Sequence, residues 1–227
     1  MNKIYKIVIL LFIIIFPLST HAHVQHYDEL NRIEFDIYRN NKQIGKHVFS
    51  FNSTNEQMSV ESEISFEIKK LGIVLYKYYV KGTEVYKNGK LIKFNSKTNQ
   101  NGKEKYVNLK LEGGEYIIDG SSYKGKAPVN YLLGTWWNHS IVKAPAQISA
   151  VSGRIIKQEV TFVRKEKITI NNKTFNTLHF NFSSTDNKLT KDKKLNTDVW
   201  YDEETLNWVK ASFKKKGDWI YRLKSIK

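Results

Sequence analysis

The 227-residue chain has no cysteine and only three prolines, which excludes disulfides, Cys-based lipid anchoring and Cys metal sites. Its 37 Lys and Arg against 22 Asp and Glu give a formal charge of +15, a balance that favours anionic partners such as lipid headgroups or polyanions. The lysines are scattered along the chain, so much of that charge reads as composition bias and solubility.

The N-terminus opens with Lys3 and Lys6, continues through an apolar block from Ile7 to Phe16, and ends in Thr20-His21-Ala22. This is the pattern of a cleaved signal peptide. The block is too short for a membrane span, which needs roughly 20 apolar residues. The expectation is a signal peptide over 1–22, one β domain over 23–227, a periplasmic location and no transmembrane segment after cleavage. Near the cleavage site, His21, His23 and His26 are candidates for adventitious metal binding only.

From Arg32 to Tyr38 apolar residues alternate with polar ones, the period of a half-buried strand. Arg39-Asn40-Asn41-Lys42 predicts a hairpin turn into a strand over Ile44–Phe51. Met58–Lys69 alternates most cleanly, with Val60, Ile64, Phe66 and Ile68 on one face and Glu61, Glu63, Ser65 and Glu67 on the other. Leu71-Gly72 breaks the register before Ile73–Val80, a run that carries Tyr76, Tyr78 and Tyr79. Asn88-Gly89, Asn101-Gly102 and Gly113-Gly114 then punctuate an antiparallel meander.

Ala127–Ser140 (APVNYLLGTWWNHS) clusters apolar and aromatic residues without alternation. It predicts a short helical or irregular segment near 128–140, acting as plug, lid or corner. Ile141–Val151 has no assignable pattern. Strands are predicted at Arg154–Val163 and Lys167–Ile170, a turn at Asn171-Asn172, and a strand at Thr174–Ser183. Ser184–Asn196 reads as an exposed lysine-rich loop, followed by strands at 197–201, 207–213 and 219–223. So many short strands joined by tight turns predict an all-β fold, a large curled antiparallel sheet that is half-open or closed like a barrel.

A curled sheet either fills its concave face or leaves a cavity, and the 13 Tyr, 12 Phe and 5 Trp suit either use. Tyr131, Leu132, Trp136, Trp137 and Asn138 are the residues expected to line or close such a space around an apolar or amphipathic ligand such as a lipid. Trp200 and Trp208 read as core packing on neighbouring strands. Trp200, Tyr201 and Asp202 form a structural motif, in which the Asp202 side chain suits a turn.

Catalytic signatures are weak. His139 lies between Asn138 and Ser140, but no nucleophile elbow accompanies it. His47 and His179 stand on predicted strands without His-x-His or Glu-x-x-His partners, so no metal site is indicated. Glu61, Glu63 and Glu67 read as the wet face of a sheet. Nothing calls for a cofactor. Aromatics interleaved with lysines suit single-stranded nucleic acid, a partner that an exported protein does not meet. An envelope protein or an anionic glycolipid is a second class of partner, and a periplasmic hydrolase using Asn138, His139 or Asp202 a third reading.

Arg32-Ile-Glu-Phe-Asp-Ile with Gln43-Ile44-Gly45, Glu84-Val85-Tyr86, Asn101-Gly102-Lys103, Trp137-Asn138, Ser152-Gly153 and Val199-Trp200-Tyr201-Asp202 follow one another in an order that resembles a family of exported bacterial proteins of unknown function. The most specific pieces are Trp-Asn after a Pro and the late Trp-Tyr-Asp. Family members typically read Leu-Pro-Thr-Ser-Tyr-Trp-Asn, whereas here an insertion separates Pro128 from Trp137. The resemblance implies a periplasmic β module and no activity. Its likeness to lipoprotein carriers and lipocalins is one of fold only.

Overall fold

A computed structural model describes residues 27, 29–54, 56–190 and 193–227. The signal peptide expected over 1–22, and the histidines beside it, lie outside the described residues. The strands are β1 (Arg32–Arg39), β2 (Lys42–Ser53), β3 (Gln57–Lys70), β4 (Ile73–Lys87), β5 (Lys90–Gln100), β6 (Lys103–Glu112), β7 (Glu115–Gly120) and β8 (Lys124–Pro128). They continue as β9 (Leu132–Leu133), β10 (Ala146–Ile148), β11 (Ile155–Ile170), β12 (Lys173–Ser184), β13 (Asn196–Asp202), β14 (Trp208–Lys214) and β15 (Asp218–Ile226).

All fifteen belong to one sheet in the order β8-β7-β6-β5-β4-β3-β2-β1-β15-β14-β13-β12-β11-β10-β9. The chain therefore starts at the middle of its own sheet, and β1 is zipped between β2 and the last strand. The expected all-β curled sheet is the fold observed, and it is not closed, because β8 and β9 remain as two edges. Pairing is antiparallel except between β9 and β10, which run parallel.

The turns follow from local chemistry. Asn40, Asn41, Asn88, Asn101, Asn171 and Asn172 all take positive φ, a region that Asn tolerates better than most residues and that two-residue hairpins require. Where the sequence pattern predicted two strands, at 154–163 and 167–170, the structure has one continuous β11 with a bulge between Phe162 and Arg164. Its middle is exposed on both faces. With nothing to bury there, the periodicity that marks a strand disappears.

The core fills the concave face. Alternate residues of the central strands, among them Ile33, Phe35, Ile37, Phe49, Val60 and Phe94, are buried there. Phe35 stacks on Trp208 with ring centroids 3.9 Å apart. The gap between the sheet edges is bridged by the loop after β10 rather than by strand pairing. Ser122 N donates to Ser152 O at 2.9 Å, and Ser96 Oγ to Ala150 O at 2.5 Å. Gly120 permits this approach, since a Cβ there would lie 2.7 Å from Ser152 O.

Candidate functional site

Ala127–Ser140 and the residues after it form a plug inside the curl. It runs from the end of β8 at one sheet edge through β9 at the other and a 3-10 turn at His139–Lys143 to β10. Trp137 is 0% exposed and meets Tyr27, Phe51 and Tyr86 edge-on at 5.0, 5.3 and 5.7 Å between centroids. Its Nε1 donates to Glu84 Oε1 at 2.9 Å, and Tyr86 Oη donates to Glu84 Oε2 at 2.5 Å. Burial pushes the Glu84 carboxyl above its usual range, against the lowering effect of hydrogen bonds from Tyr86, Trp137 and Thr135. A fully buried carboxyl with these donors and no cationic partner fixes the depth of the plug, since withdrawing Trp137 would strand it.

The neighbouring residues serve the same docking. Asn138 caps the 3-10 turn by accepting from Ser140 N at 3.0 Å and hydrogen-bonds Tyr86. Trp136 is half-buried at a positive φ of 59°, and its ring meets Trp208 edge-on at 5.6 Å. Its carbonyl accepts from Tyr201 Oη at 3.0 Å. Tyr131 and Leu132 are half-buried, and Leu132 pairs with Gln147 of β10. His139 packs edge-on against Tyr201 at 4.8 Å, and its backbone N donates to Tyr27 Oη at 3.2 Å.

Trp200, Tyr201 and Trp208 are all buried core residues, and strand alternation puts Trp200 on the opposite face of β13 from Tyr201. A register shift between Trp200 and Tyr201 leaves Trp200 opposite Lys210 and His179. It stacks on His179 at 4.2 Å and lies under Lys210 Nζ at 4.1 Å. His179 Nδ1 and Nε2 sit 3.1 Å from Glu166 and 3.0 Å from Asp198. Trp200 Nε1 donates to Glu166 at 2.7 Å, and this bond is the main cause holding that carboxyl below its ordinary range. Asp202 Oδ1 closes the β13–β14 turn by accepting from Thr205 N at 2.8 Å. Among the described residues no group of three or more His, Asp or Glu side chains is placed to hold a metal ion.

A groove open to a ligand lies elsewhere, between the ends of the β1–β2 and β3–β4 hairpins. This groove has a volume of about 1100 Å³. One row of it is set by strand register: Asp36, Lys46, Ser65, Tyr79 and Asn99 are cross-strand partners from β1 to β5, and all five line it. Its apolar lining comes from Ile44, Phe66, Ile68, Tyr78 and Tyr79. None of the plug residues reaches it.

Backbone irregularity shapes this region. Opposite Ile37–Tyr38 of β1, β2 carries a bulge at Ile44, and opposite Ile68–Lys69 of β3, β4 carries another at Leu75; bulges bend a strand and raise its twist. Between them Gly45 faces Phe66 with no room for a side chain, since a Cβ would fall 2.1 Å from Ser65 O and 2.4 Å from Phe66 Cβ. The two strands thus press together where their neighbours bend away.

The rim is basic. Lys69 and Lys77 share Glu67 at 2.9 and 3.3 Å, and Lys224 pairs with Glu34 at 3.0 Å. Hydrogen bonds from Lys69 and then Lys77 hold Glu67 below its ordinary range, and Lys224 does the same for Glu34. Asp36, opposite Lys46, accepts from Gln43 Nε2 at 2.9 Å, and Lys42 and Lys46 take part in no ion pair among the described residues. Sequence reasoning marked Tyr76, Tyr78 and Tyr79 as an aromatic run but not the groove, because the sites that shape it are bulges with no residue signature.

The Brucella abortus crystal structure of a β-barrel-like protein of the domain of unknown function DUF1849 is similar to this chain, with a TM-score of 0.61 and 11% identity over 87% of this chain and 98% of that one. At that identity the likeness shows the fold alone. No curated protein matches the chain. A family model described as a domain of unknown function, DUF6134, matches residues 35–224, a span that runs from the first central strand into the last. The chain belongs to the DUF6134 family.

Proposed function

We propose that this protein is an exported, non-catalytic β module of the periplasm that binds an anionic amphiphile, such as an acidic lipid, in the groove between the β1–β2 and β3–β4 hairpins. The observation that carries the reading is the pairing of an apolar lining with a basic rim in one concavity of about 1100 Å³. Acyl chains take the Phe66, Ile68 and Tyr78 side of such a groove, and an acidic headgroup takes Lys42 and Lys46. The signal-peptide pattern of residues 1–22 supports the location. The plug residues Tyr131, Leu132, Trp136, Trp137 and Asn138 then act on the ligand only indirectly, by holding the sheet to its curl.

Titration with monomeric lysophosphatidylglycerol, below its micelle-forming concentration, tests this. Binding is expected, with weaker binding of lysophosphatidylcholine and at least tenfold weakening in the Lys42→Glu/Lys46→Glu variant. Equal affinity of the variant, or no binding by the parent chain, would contradict the assignment.

A further inference from the structure

The β3–β4 hairpin outruns its neighbours. Its last partner in β2 is Gly45, opposite Phe66, and its last partner in β5 is Gln100, opposite Tyr78. Asn101 still holds Lys77, donating from its N to Lys77 O at 2.8 Å and accepting from Lys77 N through Oδ1 at 3.2 Å, but beyond it Ile68↔Tyr76, Lys69↔Val74 and Lys70↔Ile73 pair only with each other. The result is a free-standing two-stranded ribbon, about 10 Å long at roughly 3.3 Å per residue. A ribbon of this kind is marginal in water by itself. This one ends in apolar residues: Leu71 is 94% exposed, Ile73 67% and Leu75 54%.

Leu71 occupies the first turn position with φ 50°, before Gly72 at φ 80°. A left-handed turn normally goes to Asn or Gly, as at Asn88-Gly89 and Asn101-Gly102 in this same sheet. A leucine there is strained and hydrated at once, which folding alone gives no reason to keep.

The ends of the sheet differ in charge. Antiparallel register puts the β1–β2, β5–β6, β12–β13 and β14–β15 connections at the same end as the ribbon. They carry Arg39, Lys42, Lys103, Lys188 and the run Lys214–Lys216. The turns at the other end mix Lys87, Lys90 and Lys173 with Glu56, Glu112, Glu115, Asp202, Glu203 and Glu204, so acids outnumber lysines there. An exposed apolar tip inside a ring of lysines complements an anionic lipid surface, with apolar side chains entering the acyl boundary and cations meeting headgroups. We propose that the β3–β4 ribbon is a membrane-docking element, which inserts Leu71, Ile73 and Leu75 into an anionic bilayer and sets the basic end of the sheet against it. The base of the ribbon lines the groove, but the tip residues Leu71, Ile73 and Leu75 do not, and each reading fails or survives its own test.

The absence of cysteine makes a single engineered thiol a unique probe in otherwise native full-length chains. Ile73→Cys labelled with an environment-sensitive fluorophore is expected to shift to the blue on phosphatidylglycerol–phosphatidylcholine vesicles and to be quenched by nitroxide-labelled lipid. The same label at Lys90→Cys, on the opposite end, is expected to do neither. In flotation, Leu71→Ser/Ile73→Thr/Leu75→Thr is expected to lower partition into anionic vesicles at least tenfold while monomeric lysophosphatidylglycerol still binds. The proposal is overturned if Ile73→Cys reports no change on vesicles, or if the triple variant floats like its parent. It is equally overturned if the parent chain is a dimer that the triple variant dissociates, because the tip would then be an interface between two copies.

Discussion

Trp137 and Leu71 stand in two of the most apolar stretches of the chain, yet one is 0% and the other 94% exposed. Around Trp137 every neighbour is also in place: Tyr27, Phe51 and Tyr86 meet its ring, and Glu84 takes its indole proton. Around Leu71 the neighbours have ended, because β2 pairs with β3 only as far as Gly45. Apolar content by itself thus decides nothing. What seals a region is whether adjacent strands are long enough to cover it. Apolar residues that outrun their neighbours are left facing water or a partner.

Removing the sealed side should show the largest effect. Trp137→Ala deletes a fully buried ring and strips Glu84 of a donor, and is expected to lower stability by about 4 kcal/mol or more in denaturant unfolding. Gly45→Ala forces a Cβ into Ser65 O and Phe66. A loss of about 3 kcal/mol is expected, with weakened lysophosphatidylglycerol binding, because the same contact shapes the groove.

Acid probes the interior next. His47 is buried among Phe35, Phe49 and Trp208, and burial lowers its pKa to about 3. The unfolded chain takes up this proton below its ordinary value near 6.5 while the folded chain does not. Stability from neutral His47 is therefore complete above pH 6.5 and falls as pH drops toward 3, by about 2 kcal/mol at pH 5. His47→Gln should flatten that part of the acid slope. At the open end, Leu71→Ser is expected to change stability by less than about 0.5 kcal/mol, while vesicle partition falls. A loss comparable to that of Trp137→Ala would erase the contrast between the two regions.

Much of the sheet was legible in sequence because hairpins announce themselves. Asn-Gly and Gly-Gly pairs place the turns at 88–89, 101–102 and 113–114, and the alternation from Val60 to Ile68 gives β3 its dry face. Glu84 was not legible as a core residue, since it meets Trp137 across 53 positions of sequence and a carboxylate in a strand ordinarily reads as its wet face. Trp200 and Trp208 are both buried in the core, but a register shift sets Trp208 opposite Tyr201, on the other face from Trp200, which no residue pattern announces. The parallel pairing of β9 with β10 involves only two residue pairs, too few to leave a period. The groove escaped for a related reason: bulges at Ile44 and Leu75 and a close strand approach at Gly45 are properties of pairing, not of composition.

Hydrogen–deuterium exchange with and without monomeric lysophosphatidylglycerol tests the division into a sealed interior and a ligand-binding open end most directly. The structure leads to added protection at residues 42–46 and 66–79, and none at 131–138. Protection confined to the plug around Trp136–Asn138, with the β3–β4 hairpin unchanged, would contradict it.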